Sequence, residues 1–297
     1  MISVIIPTYK SRGGLCKSID SVLDQTYKDV EIIVVDDNNP NTPERKSTEE
    51  LMSAYADNPR VKYIKHEVNK NGSAARNTGF RASHGEYINF LDDDDYWMPE
   101  KLEKQITYLQ EHPEYDGVYT YVIVGNCKNP NNCLTGNIVK EYLMNIVSLQ
   151  TSCQLLTRKA VEALNGFDES FRRHQDYEFM IRFFLKGFKI GCIPEYLSVM
   201  VNLGGNRVSG EKLDELKEQF FAKFEEPLNI LDKQEPGIKK KIIVANYVKN
   251  FESHIAGRRY FNALKIFYKY FFVSPTTFVS QLFMLYRNHK KRKQGKV

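Results

Sequence analysis

A chain of 297 residues, 42% hydrophobic and 27% charged, is long enough to bury a large core and is ordinary for a soluble globular protein. Its net charge of +5 belongs to the tail: residues 258–297 hold ten Lys and Arg and no Asp or Glu, leaving residues 1–257 at −5, which argues against a nucleic-acid-binding body. Five scattered cysteines, an odd number without paired zinc spacing, argue against a disulfide framework or zinc centre and for reduced thiols in a cytoplasmic setting.

No secretory leader is visible, because Met1 runs straight into the strand-like Ile2-Ser3-Val4-Ile5-Ile6. Pro7 ends that run, and Thr8-Tyr9 follow at its carboxyl end. Leu15, Ile19, Val22 and Leu23 repeat at helical spacing. Val30 to Val35 reads as a second buried strand and ends in Asp36-Asp37-Asn38. Thr42-Pro43, a cap residue followed by proline at the first helical position, opens a helix to about Tyr55. A third strand spans Val61 to Lys65. Ser73-Ala74-Ala75-Arg76-Asn77-Thr78-Gly79 then opens a helix rich in small residues.

The next strand, Tyr87-Ile88-Asn89-Phe90-Leu91, runs into Asp92-Asp93-Asp94-Asp95, with a helix expected from Pro99. Unit charges about 4 Å apart repel by roughly 4 kcal/mol at an effective dielectric near 20, so crowded carboxylates favour a cation among them. A hard divalent ion such as Mn²⁺ or Mg²⁺ prefers such oxygen donors; a solvated acidic turn capping the helix is the other reading. The alternation of strand and helix predicts a largely parallel sheet with helices on both faces, and ligands of such sheets bind beyond the carboxyl ends of the strands. Thr8-Tyr9, Asp36-Asp37 and the aspartate run all fall there.

Further on, strands are expected at Gly117 to Val124, Gln154 to Leu156, Ile190 to Ile193 and Leu197 to Val201. Cys127 and Cys133 flank a turn that reads as a plain loop. An amphipathic helix carries Phe179, Ile181, Phe183 and Phe184 inward, with Asp176 in its first turn. Residues 203–210 read as a glycine-rich loop, and from Lys212 onward the pattern is helical.

Pro7-Thr8-Tyr9, Asp36-Asp37-Asn38, Gly72 with Ala75-Arg76-Asn77 and Gly79, Leu91 to Asp95 with Trp97 and Pro99, Gly166-Phe167-Asp168-Glu169, and Asp176 with Arg182 recur in family order. In these pieces, over about residues 1–205, the chain resembles glycosyltransferase family 2. The resemblance implies an α/β GT-A fold, Rossmann-like with a mostly parallel sheet, in residues 1–210, followed by a helical region at 211–297. It implies transfer from a UDP-sugar donor to a saccharide or lipid-linked acceptor with inversion, in polysaccharide synthesis. Pro7, Thr8, Tyr9, Asp37 and alternatively Asp36 would meet the uridine, Arg76 the diphosphate, and Asp92 and Asp93 the ribose or donor sugar. Asp94 would ligate Mn²⁺ or Mg²⁺, and Asp176 would be the catalytic base. Two departures from the family pattern stand out. Gln175 occupies a position where many relatives carry Glu, and Asn206 or Arg207 would replace a histidine that relatives place after the sheet.

Other readings of the same residues are a nucleotidyltransferase on a related scaffold and a regulatory module with Asp36-Asp37 as an acidic pocket. His66, His84 and His112 carry no expected chemistry. The basic, aromatic tail (258–297) reads as an interfacial helix on the inner face of the cell membrane or as a bundle packed on the catalytic part. An oligomer remains compatible with the sequence.

Overall fold

The computed structural model describes all residues except 12, 130, 172, 202–210 and 295–297. The order is β1 (Ile2–Thr8), α1 (Leu15–Leu23), β2 (Val30–Asp36), α2 (Pro43–Ser53), β3 (Val61–Lys65), α3 (Gly72–Arg81) and β4 (Tyr87–Phe90). It continues with β5 (Asp95–Trp97), α4 (Lys101–Glu111), β6 (Gly117–Val124), β7 (Cys127–Lys128), α5 (Val139–Leu143), β8 (Gln154–Thr157), α6 (Arg158–Ala163), α7 (Gln175–Leu185) and β9 (Ile190–Met200). Five helices follow: α8 (Glu211–Lys223), α9 (Glu225–Gln234), α10 (Ile238–Ala256), α11 (Tyr260–Phe271) and α12 (Pro275–Gln294).

The strands form one sheet in the order β3-β2-β1-β4-β8-β6-β9-β5, with β7 paired to β6. The first four strands are parallel, but β8 runs antiparallel to both β4 and β6, and β5 antiparallel to β9. The sheet is therefore more mixed than the sequence pattern implied. Asp95–Trp97, expected to lead into a helix, pairs instead with β9, and α4 starts at Lys101. The two strands expected between Ile190 and Val201 are one, with its pairing to β6 shifted near Thr120 and Tyr121.

Alternation along β1 explains why the sheet needs cover on both sides. Ile2, Val4 and Ile6 join a core with α1 and α4, whereas Ile5 points to the opposite core with α3 and α7. The small residues of α3 let it approach β1: a Cβ on Gly79 would collide with the Ile5 side chain. Thr42 caps α2, its hydroxyl accepting from the Arg45 amide at 3.2 Å, with Pro43 at the first position. Lys101 is buried under Trp97, its ammonium 3.8 Å from the ring centroid and donating to Gln105 Oε1 at 2.8 Å.

Phe220, Phe224, Leu228 and Ile242 of α8–α10 enter the same core as Phe179 and Phe184 of α7. Helices α10–α12 form a third cluster around Phe278, which is fully buried. Cys133 and Cys192 stand as a disulfide with Cα atoms 5.6 Å apart, correcting the expectation of five free thiols. The cause is tertiary: the bridge between Gly136 and Ile190 lays the loop before Asn137 against the start of β9. Cys127, across the turn from Cys133, is free.

Candidate active site at the carboxyl edge of the sheet

Parallel register places the ends of β1, β2 and β4 side by side. Ile5 is opposite Phe90 and Thr8 opposite Asp36, so the chain leaves β4 into the aspartates beside the end of β1. The Asp95 amide donates to the Asp92 carbonyl at 3.0 Å, closing a tight turn. This turn divides the four carboxylates. Asp92, Asp93 and Asp94 are partly exposed on the rim, whereas Asp95 is buried beneath them and accepts from Ser152 Oγ at 2.6 Å. Burial, then repulsion from Asp92, pushes the Asp95 carboxyl up to about 8. Gly14 lies against the turn so closely that a Cβ there would stand 2.7 Å from the Asp93 carbonyl.

Thr8 Oγ1 donates to Asp93 Oδ2 at 2.6 Å. Burial raises the Asp93 carboxyl to about 6; the Thr8 hydroxyl opposes the shift, and the charges of Asp94 and Asp92 add to it. Tyr9 projects from the same strand end with 47% of its surface exposed and the Lys10 ammonium 5.3 Å from its ring centroid. Pro7 is half-buried and paired with Val35, so its contribution to the rim is backbone geometry.

Asp36 and Asp37 point away from open solvent. Asp36 is fully buried, accepting from Tyr63 Oη at 2.6 Å and from the Asn38 amide at 2.9 Å, with Arg45 Nε at 3.2 Å. Asp37 accepts from His66 Nδ1 at 2.8 Å, Asn69 Nδ2 at 2.8 Å and the amides of Lys70 at 2.8 Å and Asn71 at 3.0 Å. It thereby organises the loop that leads to α3, whose first amides are capped by Asn71 Oδ1 at 2.9 and 3.2 Å. His66, assigned no role from the sequence, is buried between Asp37 and Thr78. The available signal was register: Asp36 pairs with Lys65, which puts the next residues, Asp37 and His66, opposite each other.

Arg76 joins the two halves of the site. Its guanidinium meets Asp92 Oδ1 at 2.5 Å and Gln175 Oε1 at 3.0 Å, above the Phe167 ring at 5.3 Å. Gln175, where relatives often carry Glu, thus accepts this hydrogen bond without adding charge. Gly72 leaves room for the pair, since a Cβ there would stand 3.1 Å from both Arg76 and Gln175. Asn77 holds the Gly166-Phe167-Asp168-Glu169 stretch, donating to the Phe167 carbonyl and to Glu169 Oε1 at 2.9 Å each and accepting from the Phe167 amide at 2.8 Å.

Asp176 sits in the first turn of α7, next to Gln175. Burial raises its carboxyl above the usual carboxylate range; the Tyr177 amide and Arg76 oppose this, and Asp92 adds to it. Asp176 also lines a cavity of about 250 Å³ whose other walls are Tyr142, Asn145, residues 147–150, His174, Tyr177, Lys217 and Lys249. Helices from the C-terminal region, absent from the sequence-based site, therefore close one side of the recess. Asn206 and Arg207 lie outside the described residues.

Among the described residues no group of three or more His, Cys, Asp or Glu is poised to hold a metal. The acidic turn nonetheless fits a hard cation. Its carboxylates repel one another, and such ions are held by one or two carboxylates together with substrate phosphates.

Comparison with known proteins identifies the family and the fold. The profile of "Glycosyl transferase family 2" matches residues 3–164. An uncharacterized glycosyltransferase of Methanocaldococcus jannaschii is 32% identical over 206 residues, 66% of this chain and 69% of the relative. The UDP-Glc:alpha-D-GlcNAc-diphosphoundecaprenol beta-1,3-glucosyltransferase WfgD of Escherichia coli is 30% identical over 74% of this chain and 84% of its own length. The amylovoran biosynthesis glycosyltransferase AmsB of Erwinia amylovora is 30% identical over 71% and 73%. In fold, TarS 1–349 of S. aureus, crystallised with UDP-GlcNAc, superposes with a TM-score of 0.66 at 18% identity, covering 92% of this chain and 81% of that one. The chain belongs to glycosyl transferase family 2 and is a glycosyltransferase with a GT-A fold and a helical C-terminal region.

Proposed function

We propose that the enzyme moves a sugar from a UDP-sugar to a hydroxyl of a saccharide or lipid-linked saccharide, with inversion and with Mn²⁺ or Mg²⁺, in cell-surface polysaccharide synthesis. The observation that carries this reading is the Arg76 guanidinium spanning Asp92 on the acidic rim and Gln175 beside Asp176. One cation thus stands between a place for a diphosphate and a carboxylate able to act as base. The names of relatives that use UDP-Glc or bind UDP-GlcNAc support the donor class.

In this reading Tyr9 stacks on the uracil, and Thr8 and the Asp37-held loop shape its surroundings. Arg76 offers two N–H groups and a charge to the diphosphate. Asp94, which follows Asp92 and Asp93 on the rim, would hold the divalent ion. When bound, the ion neutralises charge on the departing nucleoside diphosphate. Asp176 takes the proton of the acceptor hydroxyl as that oxygen attacks the anomeric carbon. Its raised affinity for a proton suits it to that task. A single displacement inverts the anomeric centre. The sheet-containing part carries donor and base, and α8 and α10 close the acceptor side through Lys217 and Lys249.

The outer face of α11 and α12 supports a membrane role as part of this reading. Tyr260, Phe261, Tyr268, Phe272, Phe283 and Tyr286 are each at least 60% exposed, in a segment free of acidic residues. Among the described residues no helix is long and apolar enough to cross a membrane. The combination fits peripheral seating on an anionic leaflet, where lipid-linked acceptors reside.

The test is a nucleotide-release screen across UDP-sugars with Mn²⁺, repeated with chelator. UDP released only with metal supports the reading. Pyrophosphate as product, or metal-independent turnover, contradicts it.

A further inference from the structure

Beyond the acidic rim, the 250 Å³ cavity beside Asp176 has a composition that donor binding and proton abstraction do not explain. Thr8, Arg76 and Asp92–Asp94 take no part in its lining. Lys217 of α8 does, and it is 5% exposed. Its only hydrogen-bond partner among the described residues is neutral: Nζ donates to Asn246 Oδ1 of α10 at 2.6 Å. No carboxylate forms an ion pair with it among the described residues. Lys249 lines the same cavity and donates to Asn145 Oδ1 at 3.0 Å. Burial pulls the Lys217 ammonium down from 10.5 to about 7, and the charge of Lys249 adds to that shift. With Asn145 Oδ1 turned to Lys249, Asn145 Nδ2 is left buried with no hydrogen-bond partner.

A buried lysine charge with no carboxylate beside it and an orphan amide donor are each unfavourable. An anionic oxygen group in the cavity would satisfy both and favour the charged form of Lys217. Asp176, on the cavity wall, would repel such a group at close range, so the anion belongs at the lysine end while the reacting hydroxyl faces Asp176.

We propose that this cavity is the acceptor subsite and that it selects acceptors bearing a negative charge, a phosphate or a carboxylate, near the hydroxyl to be glycosylated. Lys217, Lys249 and Asn145 bind the anion. This rests on the reading of Asp176 as the base only for the word acceptor; the anion site itself is independent of it.

The test measures thermal stabilisation of the full chain at constant ionic strength by inorganic phosphate and by glucuronate, with chloride as control and UDP–Mn²⁺ as a separate arm. Wild type should show saturable protection by at least one anion. Lys217→Met and Lys249→Gln should each weaken it about tenfold, the scale of a lost hydrogen bond to a charged group. Lys249 lies on the exposed side of α10, so its variant keeps the test alive if Lys217→Met does not fold. Protection by phosphate alone or glucuronate alone names the anion. Absence of protection by both, or an unchanged response in Lys249→Gln, overturns the proposal. Loss of the UDP arm with the anion arm intact would instead count against the glycosyl-transfer reading.

Discussion

Thr8 and Asp93 are joined by a 2.6 Å hydrogen bond that ties the end of the first strand to the rim of the acidic turn. The contact spans 85 residues of sequence, so the turn is held by the sheet itself. Thr8→Val keeps the shape of the side chain but leaves Asp93 without this donor. We expect a loss of about 1–2 kcal/mol in stability and weaker UDP binding. Chemical denaturation and calorimetric titration check both; an unchanged UDP affinity would detach the Thr8 bond from donor binding.

Asp176→Asn should abolish transfer while UDP binding persists. It should also leave the protein at least as stable at pH 7. Burial raises this carboxyl, so the folded state holds the proton more tightly than the unfolded chain. Stability therefore falls as pH rises from the unfolded value toward the folded one, and the ionised form is a strain that the amide removes. For the same reason the acid limb of wild-type turnover should lie above the ordinary carboxylate range. A variant with normal turnover would remove Asp176 from the mechanism.

Lys101 gives a stability prediction of the opposite pH sign. Burial lowers its ammonium from 10.5 to about 7. Between those values the unfolded chain binds the proton and the folded one does not, so stability rises with pH through that window. Lys101→Met should stabilise by about 1–3 kcal/mol near pH 7, and the gain should vanish above the unfolded pKa. Melting curves of both proteins across pH 6–11 measure it, and destabilisation at pH 7 would contradict the argument.

The helix that carries Asp176 is anchored through Glu178, which is 1% exposed and meets Arg182 Nε at 2.6 Å and Lys223 Nζ at 2.8 Å. Lys223 also pairs with Asp168, whose carboxyl falls to about 2: burial opposes that shift, and the hydrogen bonds from Lys223 and Ser170 outweigh it. Glu178→Gln removes the charge between two cations and should cost roughly 3 kcal/mol, with kcat falling more than donor affinity. An unaltered denaturation midpoint would show that α8 does not brace α7.

Seating on a bilayer is tested without disturbing the buried Phe278 cluster. Replacing Phe261, Phe272 and Phe283 by Ser should abolish flotation with anionic vesicles and leave the folded state intact. Retained flotation would remove this face as the anchor.

Where local pattern governs, the sequence was readable. The apolar runs of β1 and β2, the capped start of α2, the polar clusters at strand ends and the position of Asp176 in a first helical turn all follow from spacing. What stayed hidden depends on distant partners. Asp95 looks like its three neighbours until Ser152 and β9 draw it inward. His66 looks like a surface residue until β3 pairs with β2. Lys217 reads as one charge among many on α8, and only the packing of α8 and α10 against α7 brings it to the cavity beside Asp176.

Titration calorimetry of UDP tests the central claim most directly, in Mn²⁺ and in chelator, for wild type and Asp94→Asn. We expect tight binding only for wild type with Mn²⁺, and at least about tenfold weaker binding when either the ion or the Asp94 carboxylate is removed. Equal UDP affinity in all four conditions would contradict an acidic rim built to hold a metal-bound diphosphate.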